Sequence, residues 1–436
     1  MRFFDGVFSS PRWRALWAAQ LGFLLDAMDV LLYVFALATL RAEFGWTNAQ
    51  AGLAASATLL ASAVGGVAAG FVSDRIGRRR TLMYTILLYS LASAGTATSR
   101  GLGELIFWRA LVGLGLGGEW SAGATLVAEW WPAEHRAKAV SFMQAGWALG
   151  YMAAAGLTAL ILPQFGWRAL FLAGVLPALL TLYVRRHVEE PQVWREQRAR
   201  APWNAIFRPP LVRFTVLATT LATSVLFAYW GLFTWLPGFL SLPAGEGGAG
   251  MTVVRTSGFV FTVQAGAFAG YLCFGVLADR FGRRPAFAFY VLAAALLTPL
   301  YGMAPRQWPE LLFWMGPLIG FFGTGFFSLF GAMLAELYPT AVRGAGQGFA
   351  YNFGRGLSAL APVLVGALAD RHGVGAALAV NSGFFIAAAA LVFLLPETKS
   401  TDLASVSGPI EPPSPLSRGD SSSQASHGGR RDPDLS

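Results

Sequence analysis

The 436-residue sequence predicts an all-α integral membrane protein, twelve transmembrane helices in two pseudo-symmetric six-helix bundles. Composition is the first observation: 55% of residues are apolar, mean hydropathy is +0.53, and only 13% are charged, about half the usual share of a soluble chain. The second is length, because a window of about 20 residues, enough for a helix to cross a ~30 Å hydrocarbon layer, returns twelve apolar runs. The third is a repeat. Gly70 to Arg80 reads GFVSDRIGRRR and returns 205 residues later, at Gly275 to Arg284, as GVLADRFGRR. A Gly, Asp-Arg, Gly, Arg-Arg pattern recurring between apolar runs near half the chain length marks an internal duplication.

The runs fall at 15–39, 50–73, 81–99, 103–130, 139–162, 166–184, 211–240, 254–278, 285–303, 310–336, 345–368 and 374–395. They divide the chain into an N-terminal segment (1–14), a first bundle (15–184), a linker (185–210), a second bundle (211–398) and a tail (399–436) expected to be disordered, being rich in Ser, Gly, Pro and mixed charge. Short loops rich in Lys and Arg stay cytoplasmic. Of the 32 such residues, 24 fall on the side of the termini and six on the other: Arg41, Arg100, Arg168, Arg255, Arg306 and Arg371. Both termini are therefore expected inside, in the plasma (inner) membrane. The net charge of +9 then reflects topology and anionic lipid head groups, and no nucleic-acid partner is implied. The single Cys273, within span 8, forms no internal disulfide and is read as a packed, inert thiol. With the charged, amphipathic stretch Met1–Arg14 followed by a run of full spanning length, no cleavable signal is expected.

Span 1 holds Asp26 and Asp29 on one helical face. Carboxylates at membrane depth are costly and usually face a cavity or a partner, often on a proton path; locking helices through a basic residue is the other role open to them. Span 2 ends in the repeated loop, where Gly70, Asp74, Arg75, Gly77 and Arg78 match Gly275, Asp279, Arg280, Gly282 and Arg283. A topology signal accounts for the arginines but not for the fixed Asp and Gly, so a cytoplasmic latch that breaks when that side opens is expected. Span 4 carries Arg109, then Gly113, Gly115, Gly117 and Gly118, then Glu119. At 1.5 Å rise per residue Arg109 reaches a depth similar to that of Asp29, so a pair between them is geometrically allowed.

Span 4 closes on a second duplicated set, Glu129, Pro132 and Arg136, matched 207 residues later by Glu336, Pro339 and Arg343; these charges are assigned to the latch. Gln144, Trp147 and Tyr151 of span 5 recur at helical spacing as a cavity wall or as core. Trp194 and Trp203 suggest short surface helices in the linker. Span 7 supplies Tyr229, Trp230, Phe233, Thr234, Trp235 and Pro237, and span 8 Gln264. In span 11 Arg355 stands at mid-membrane with Tyr351, Asn352 and Ser358 around it, and its half of the chain has no mid-span Asp or Glu to neutralise it. Such a guanidinium fits an anionic ligand or a carboxylate from across the bundle. Candidate cargo contacts are thus Arg109, Arg355, Asn352, Tyr351, Gln144, Trp147, Tyr229 and Gln264.

Two six-span halves with DRxGRR loops resemble the major facilitator superfamily over residues 12–398. LGLGGEWSAG at 114–123, AEWWPAEHRAKA at 128–139, FMQAGWALGY and ELYPTAVRGAGQGFAYNFGR are similar to metabolite:proton symporters, especially the sialate and monocarboxylate branch. The paired aspartates also resemble aromatic-acid:proton symporters, whose DGxD is here Asp26-Ala27-Met28-Asp29, without the glycine. The resemblance implies the major facilitator fold, alternating access about a midplane site, a small organic anion as cargo, and a proton as coupling ion with no other cofactor. It places proton coupling on Asp26, Asp29 or Glu119, since His135, His187, His372 and His427 all lie outside mid-membrane. A monomer in lipid is expected.

Competing functions are weaker on the residues. A drug exporter would show a GP-containing motif in span 5, where GWALGYMAAAG stands. A sugar porter draws on PETK at 396–399. A transport-inactive sensor would carry a folded signalling domain, and an enzyme a nucleophile or metal-spaced cluster.

Overall fold

The computed structural model describes residues 10–46, 48–196, 202–233, 236, 240, 249–251, 253–307, 311–361, 364–365, 368 and 374–403. The tail beyond Leu403, and Thr234, Trp235, Pro237, Arg371 and His372, lie outside these. The described structure is all-α. The first half runs through α1 (Pro11–Phe44), α2 (Asn48–Ile76), α3 (Arg78–Thr96), α4 (Leu102–Trp130), α5 (Arg136–Gln144), α6 (Gly146–Ala173) and α7 (Ala178–His187). After short helical turns at Gln192–Arg195 and Trp203–Phe207 come α8 (Leu211–Phe233), α9 (Val253–Phe281), α10 (Arg283–Gln307), α11 (Leu311–Thr324), α12 (Ser328–Leu337), α13 (Arg343–Ser358) and α14 (Val374–Leu391).

Among the described residues eight stretches are long and apolar enough to cross a membrane: 11–36, 56–76, 160–187, 211–233, 259–281, 283–303, 311–337 and 377–394. The expected spans at 81–99, 103–130 and 139–162, and the part of 345–368 up to Ser358, are helical but outside that set. Polarity accounts for α4, whereas the helices Arg136–Gln144 (9 residues) and Arg343–Ser358 (16 residues) are also short for a span. α4 carries Arg109, Glu119 and Glu129, all buried, and α13 buries Arg343, Gln347 and Asn352, so these helices turn polar groups to protein rather than lipid.

Close packing rests on glycine where α4 meets α2. A side chain at Gly117 would overlap the Ser62 carbonyl, and one at Gly65 the backbone of Leu114; small residues there let the backbones approach. Two breaks position the cavity described below. Ala145 separates α5 from α6 between Gln144 and Trp147, and the turn Gly325–Phe327 interrupts the expected span 10. Gly166, at φ +74°, divides α6 where the boundary between spans 5 and 6 was expected.

Two expectations are corrected. Cys273 is exposed on the outer surface of α9 rather than packed, because in a chain apolar on every helix face, periodicity does not separate lipid-facing from core-facing positions. The tail, expected to be disordered from residue 399, is bound through Leu403: Arg136 Nη1 donates to the Thr401 carbonyl at 2.9 Å, Arg343 Nη2 to the Leu403 carbonyl at 3.4 Å, and Leu403 is buried.

Candidate functional site

An aromatic cavity forms where both halves of the chain meet. Phe23 of α1, Trp120 of α4, Gln144 of α5, Trp147 of α6, Leu226, Tyr229 and Trp230 of α8, Tyr271 of α9, Phe327, and Tyr351 and Arg355 of α13 line it. Its free volume is about 30 Å³, room for about two waters, so a solute enters only if the helices separate. Trp120 and Tyr351 stack across the halves at 3.9 Å and 21°, and the Trp120 indole N–H donates to Gln144 Oε1 at 3.0 Å. Tyr229 meets Phe327 edge-on at 5.0 Å. Arg355 is the cation of this wall, and among the described residues its guanidinium makes no ion pair. Asp26, buried on α1, lies within its electrostatic reach.

Asp29 is differently placed. Arg109 Nη1 stands 3.5 Å from Asp29 Oδ2, with Arg109 1% and Asp29 0% exposed. Ser93 donates to the other carboxyl oxygen, Arg109 Nε donates to Thr58 Oγ1 at 3.3 Å, and the guanidinium lies 5.2 Å over the Tyr33 ring. Arg109 is thus engaged by Asp29, Thr58 and the Tyr33 ring and stands outside the cavity wall. Asn352 and Gln264 are likewise buried but not in the wall; Asn352 Nδ2 donates to Ser121 Oγ at 3.0 Å, joining α13 to α4. Gln144, Trp147, Tyr229, Tyr351 and Arg355 do meet at the cavity.

The two duplicated motifs assemble at one end of the molecule as a crossed pair of networks. Arg78 holds Glu129 through Nη2 at 2.9 Å and Nε at 3.0 Å, and Asp74 through Nη1 at 3.0 Å. Arg343, from the other half, reaches the same Glu129 Oε1 at 2.7 Å. In mirror fashion Arg283 holds Glu336 at 2.9 Å and Asp279 at 2.8 Å, while Arg136 crosses to Glu336 at 2.8 Å. Asp74 also accepts from the backbone N–H of Gly344 and Ala345 at 2.9 and 2.7 Å, and Asp279 from Ala137 and Lys138 at 3.3 and 3.1 Å. Each carboxylate thus caps the first turn of a helix in the opposite half, where unpaired N–H groups and the helix dipole favour a negative charge. Gly70 packs its bare Cα on the Gly344 carbonyl. Arg75 and Arg280 are exposed, and among the described residues their side chains make no ion pair.

Sequence reasoning missed two caps. Gly77 and Gly282 adopt φ +105° and +110° and lie directly against the carboxyls of Glu190 and Glu397. Glu190 accepts from the N–H of Arg78 at 2.8 Å and Arg79 at 3.2 Å; Glu397 accepts from Arg283 at 2.8 Å and Arg284 at 3.1 Å. Burial pushes Glu190 above the ordinary carboxylate range, against those donors. The signal was available, since Glu190 and Glu397 sit 207 residues apart, the spacing of the second motif. Trp194 also anchors the linker, donating to the Asp74 carbonyl at 3.1 Å.

Asp74→Asn removes a charge from this crossing and leaves one helix N–H without an acceptor. The latch is expected to open about fivefold more often, the equivalent of one ~1 kcal/mol hydrogen bond. Thr125, buried against Gln347 at this end, reports it: with Cys273 replaced by Ser, Thr125→Cys should react with maleimide correspondingly faster. Equal labelling would reduce the loop to a topology signal.

The sequence profile described as the Major Facilitator Superfamily matches residues 20–255 and 252–421. A candidate metabolite transport protein of Haemophilus influenzae is 34% identical over 91% of this chain and 98% of its own length. The cis,cis-muconate transport protein of Acinetobacter baylyi is 30% identical over 86% of this chain and 93% of its own. Among solved structures, the proton:xylose symporter XylE superposes with a TM-score of 0.76 at 19% identity, covering 91% of this chain and 98% of that one, a likeness of fold alone. With a profile match over most of its length and relatives matched nearly end to end, the chain belongs to the Major Facilitator Superfamily, as a secondary transporter of a small organic solute and not an enzyme.

Proposed function

We propose that the protein carries a small organic anion, a monocarboxylate such as lactate, sialate or an aromatic acid, by proton symport and alternating access. The observation that carries this reading is Arg355, a guanidinium in the wall of an aromatic cavity between the halves with no ion pair among the described residues. A planar fork offers a carboxylate two parallel hydrogen bonds, and the rings around it offer apolar surface for an organic body. The muconate relative, named for an organic acid, supports an anion. Asp26, buried and within reach of Arg355, supports the proton: arrival of a cargo carboxylate competes for the same guanidinium and favours the neutral acid at Asp26.

In this reading twelve helices form two bundles, residues 15–184 and 211–398, in the plasma membrane of a monomer with both termini and the latch in the cytoplasm. The crossed networks close the cytoplasmic end, and rocking of the bundles opens it. Uptake into proteoliposomes under an imposed pH gradient tests it, with lactate, pyruvate, dicarboxylates, aromatic acids, sialic acid and xylose as separate cargoes. Accumulation of at least one acid when the interior is alkaline is expected. Accumulation of xylose alone would replace the anion reading with a sugar porter.

A further inference from the structure

At the latch end the outer surface of the first bundle carries arginines that the crossed networks do not use. α3 and α7 pack on each other there, with Leu82 and Ile86 of one and Leu180 and Val184 of the other in a common core, and Arg79 donates to the Arg185 carbonyl. Both helices turn an apolar stripe outward. On α3 it is Tyr84, Leu88 and Leu91, all exposed, and on α7 it is Leu179 and Leu182. At helical spacing each stripe ends on an arginine, Arg80 on α3 and Arg186 on α7, with Arg185 beside the second; all three are exposed.

Among the described residues none of these three guanidiniums makes an ion pair. The neighbouring acids are spent elsewhere: Glu189 pairs with Arg195 at 2.9 Å, and Glu190 accepts from the backbone N–H of Arg78 and Arg79. The dipole of α7 favours basic residues in its last turn, but Arg80 stands in the first turn of α3, where a positive charge is disfavoured. Local helix energetics therefore do not account for the pair. Nor does topology, since basic residues on one side are wanted in both halves. The second half repeats the apolar stripe on α10, as exposed Phe289, Leu292 and Leu296. At the offsets of the two motifs, 205 and 207, Arg80 is answered there by Pro285, and Arg185 and Arg186 by Val392 and Phe393. The duplicated fold thus has the stripe twice and the arginines that head it once.

We propose that the corner between α3 and α7 binds a phospholipid with two phosphates, diphosphatidylglycerol, in the leaflet at the latch end. Arg80 takes one phosphate and Arg186 the other, each through a planar fork of donors that matches phosphate oxygens, and Arg185 adds charge to the same head group. Basic corners of this kind between membrane helices suit such head groups. Packed helices stand about 8–10 Å apart, a gap that two flexible side chains close to reach phosphates joined by one glycerol. The acyl chains lie along Tyr84, Leu88 and Leu91 on one side and Leu182 and Leu179 on the other. Four chains on one head group cover both stripes, whereas a lipid with one phosphate leaves one arginine without a partner.

Native mass spectrometry of the full chain tests this, with the protein delipidated in detergent and titrated with diphosphatidylglycerol, phosphatidylglycerol and phosphatidylethanolamine of matched acyl chains. The wild type is expected to bind one diphosphatidylglycerol about tenfold or more tighter than phosphatidylglycerol, with phosphatidylethanolamine weakest. Arg80→Gln and Arg186→Gln should each weaken that binding about fivefold and together about 30-fold, the worth of one basic residue at an anionic head group each. Both substitutions keep the backbone N–H groups that Glu190 caps. The charge-matched control is Arg208→Gln with Arg213→Gln, two exposed arginines beside the start of α8, and it should bind as wild type does. Equal affinity of the wild type for the one- and two-phosphate lipids overturns the assignment. So does wild-type affinity in Arg80→Gln/Arg186→Gln, or an equal loss in the control, which would make the effect one of net charge alone.

Discussion

Arg355→Lys is expected to weaken binding of the transported acid on the order of 10- to 100-fold while the protein remains folded. Lysine keeps the charge but replaces a planar fork of donors with a compact ammonium. What is lost is one of two charge-assisted hydrogen bonds, about 1.5–3 kcal/mol, which converts to that range at about 1.4 kcal/mol per decade. Fold should survive because Arg355 holds no ion pair among the described residues and is only partly buried. Arg109→Lys is the informative contrast. It disturbs a buried pair with Asp29, where breaking an ion pair costs about 3–5 kcal/mol, so its main effect should be a lower Tm. Calorimetric titration and thermal unfolding of both variants separate the two. Wild-type affinity in Arg355→Lys would show that the cavity wall is not the anion site.

The contrast between these arginines marks where the sequence was legible. Depth alone brought Asp29 and Arg109 to one level, since rise per residue is fixed. The repeat placed Asp74, Arg78, Glu129 and Arg343 beside Asp279, Arg283, Glu336 and Arg136 as one set of charges. It did not say that Arg343 crosses to Glu129 and Arg136 to Glu336, because the docking of one half on the other leaves no periodic trace. Helix face was the main blind spot. Lipid is as apolar as a protein core, so Cys273 at the surface and Trp120 in the cavity wall read alike. Trp120, stacked on Tyr351, had one hint, its place directly after Glu119. The polar content that sets α4 and α13 apart from a plain span builds the crossed networks and, through Arg355, one part of the cavity wall.

Asp26→Asn is expected to abolish gradient-driven accumulation while counterflow of the same acid persists. Both aspartates were candidates from spacing alone, and their surroundings now divide them. Asp29 has Arg109 at 3.5 Å and accepts from Ser93, a satisfied pair whose charge is matched in place. Asp26 makes no ion pair among the described residues, and the cation that acts on it, Arg355, is the one in the cavity wall. Its balance between acid and carboxylate therefore depends on whether a cargo anion occupies that cation, which is the linkage symport requires. An amide in its place has no proton to carry, so the loaded and empty carriers can reorient but the proton gradient no longer favours one direction. A gradient of one pH unit stores about 1.4 kcal/mol per proton, about a tenfold cargo ratio; in Asp26→Asn the ratio should stay near one. Asp29→Asn should instead strand the Arg109 charge and destabilise the fold by about 3–5 kcal/mol, seen as a fall in Tm with coupling retained in the folded fraction. Accumulation persisting in Asp26→Asn and vanishing in a well-folded Asp29→Asn would reverse the assignment, and persistence in both would move the coupling proton to Glu119.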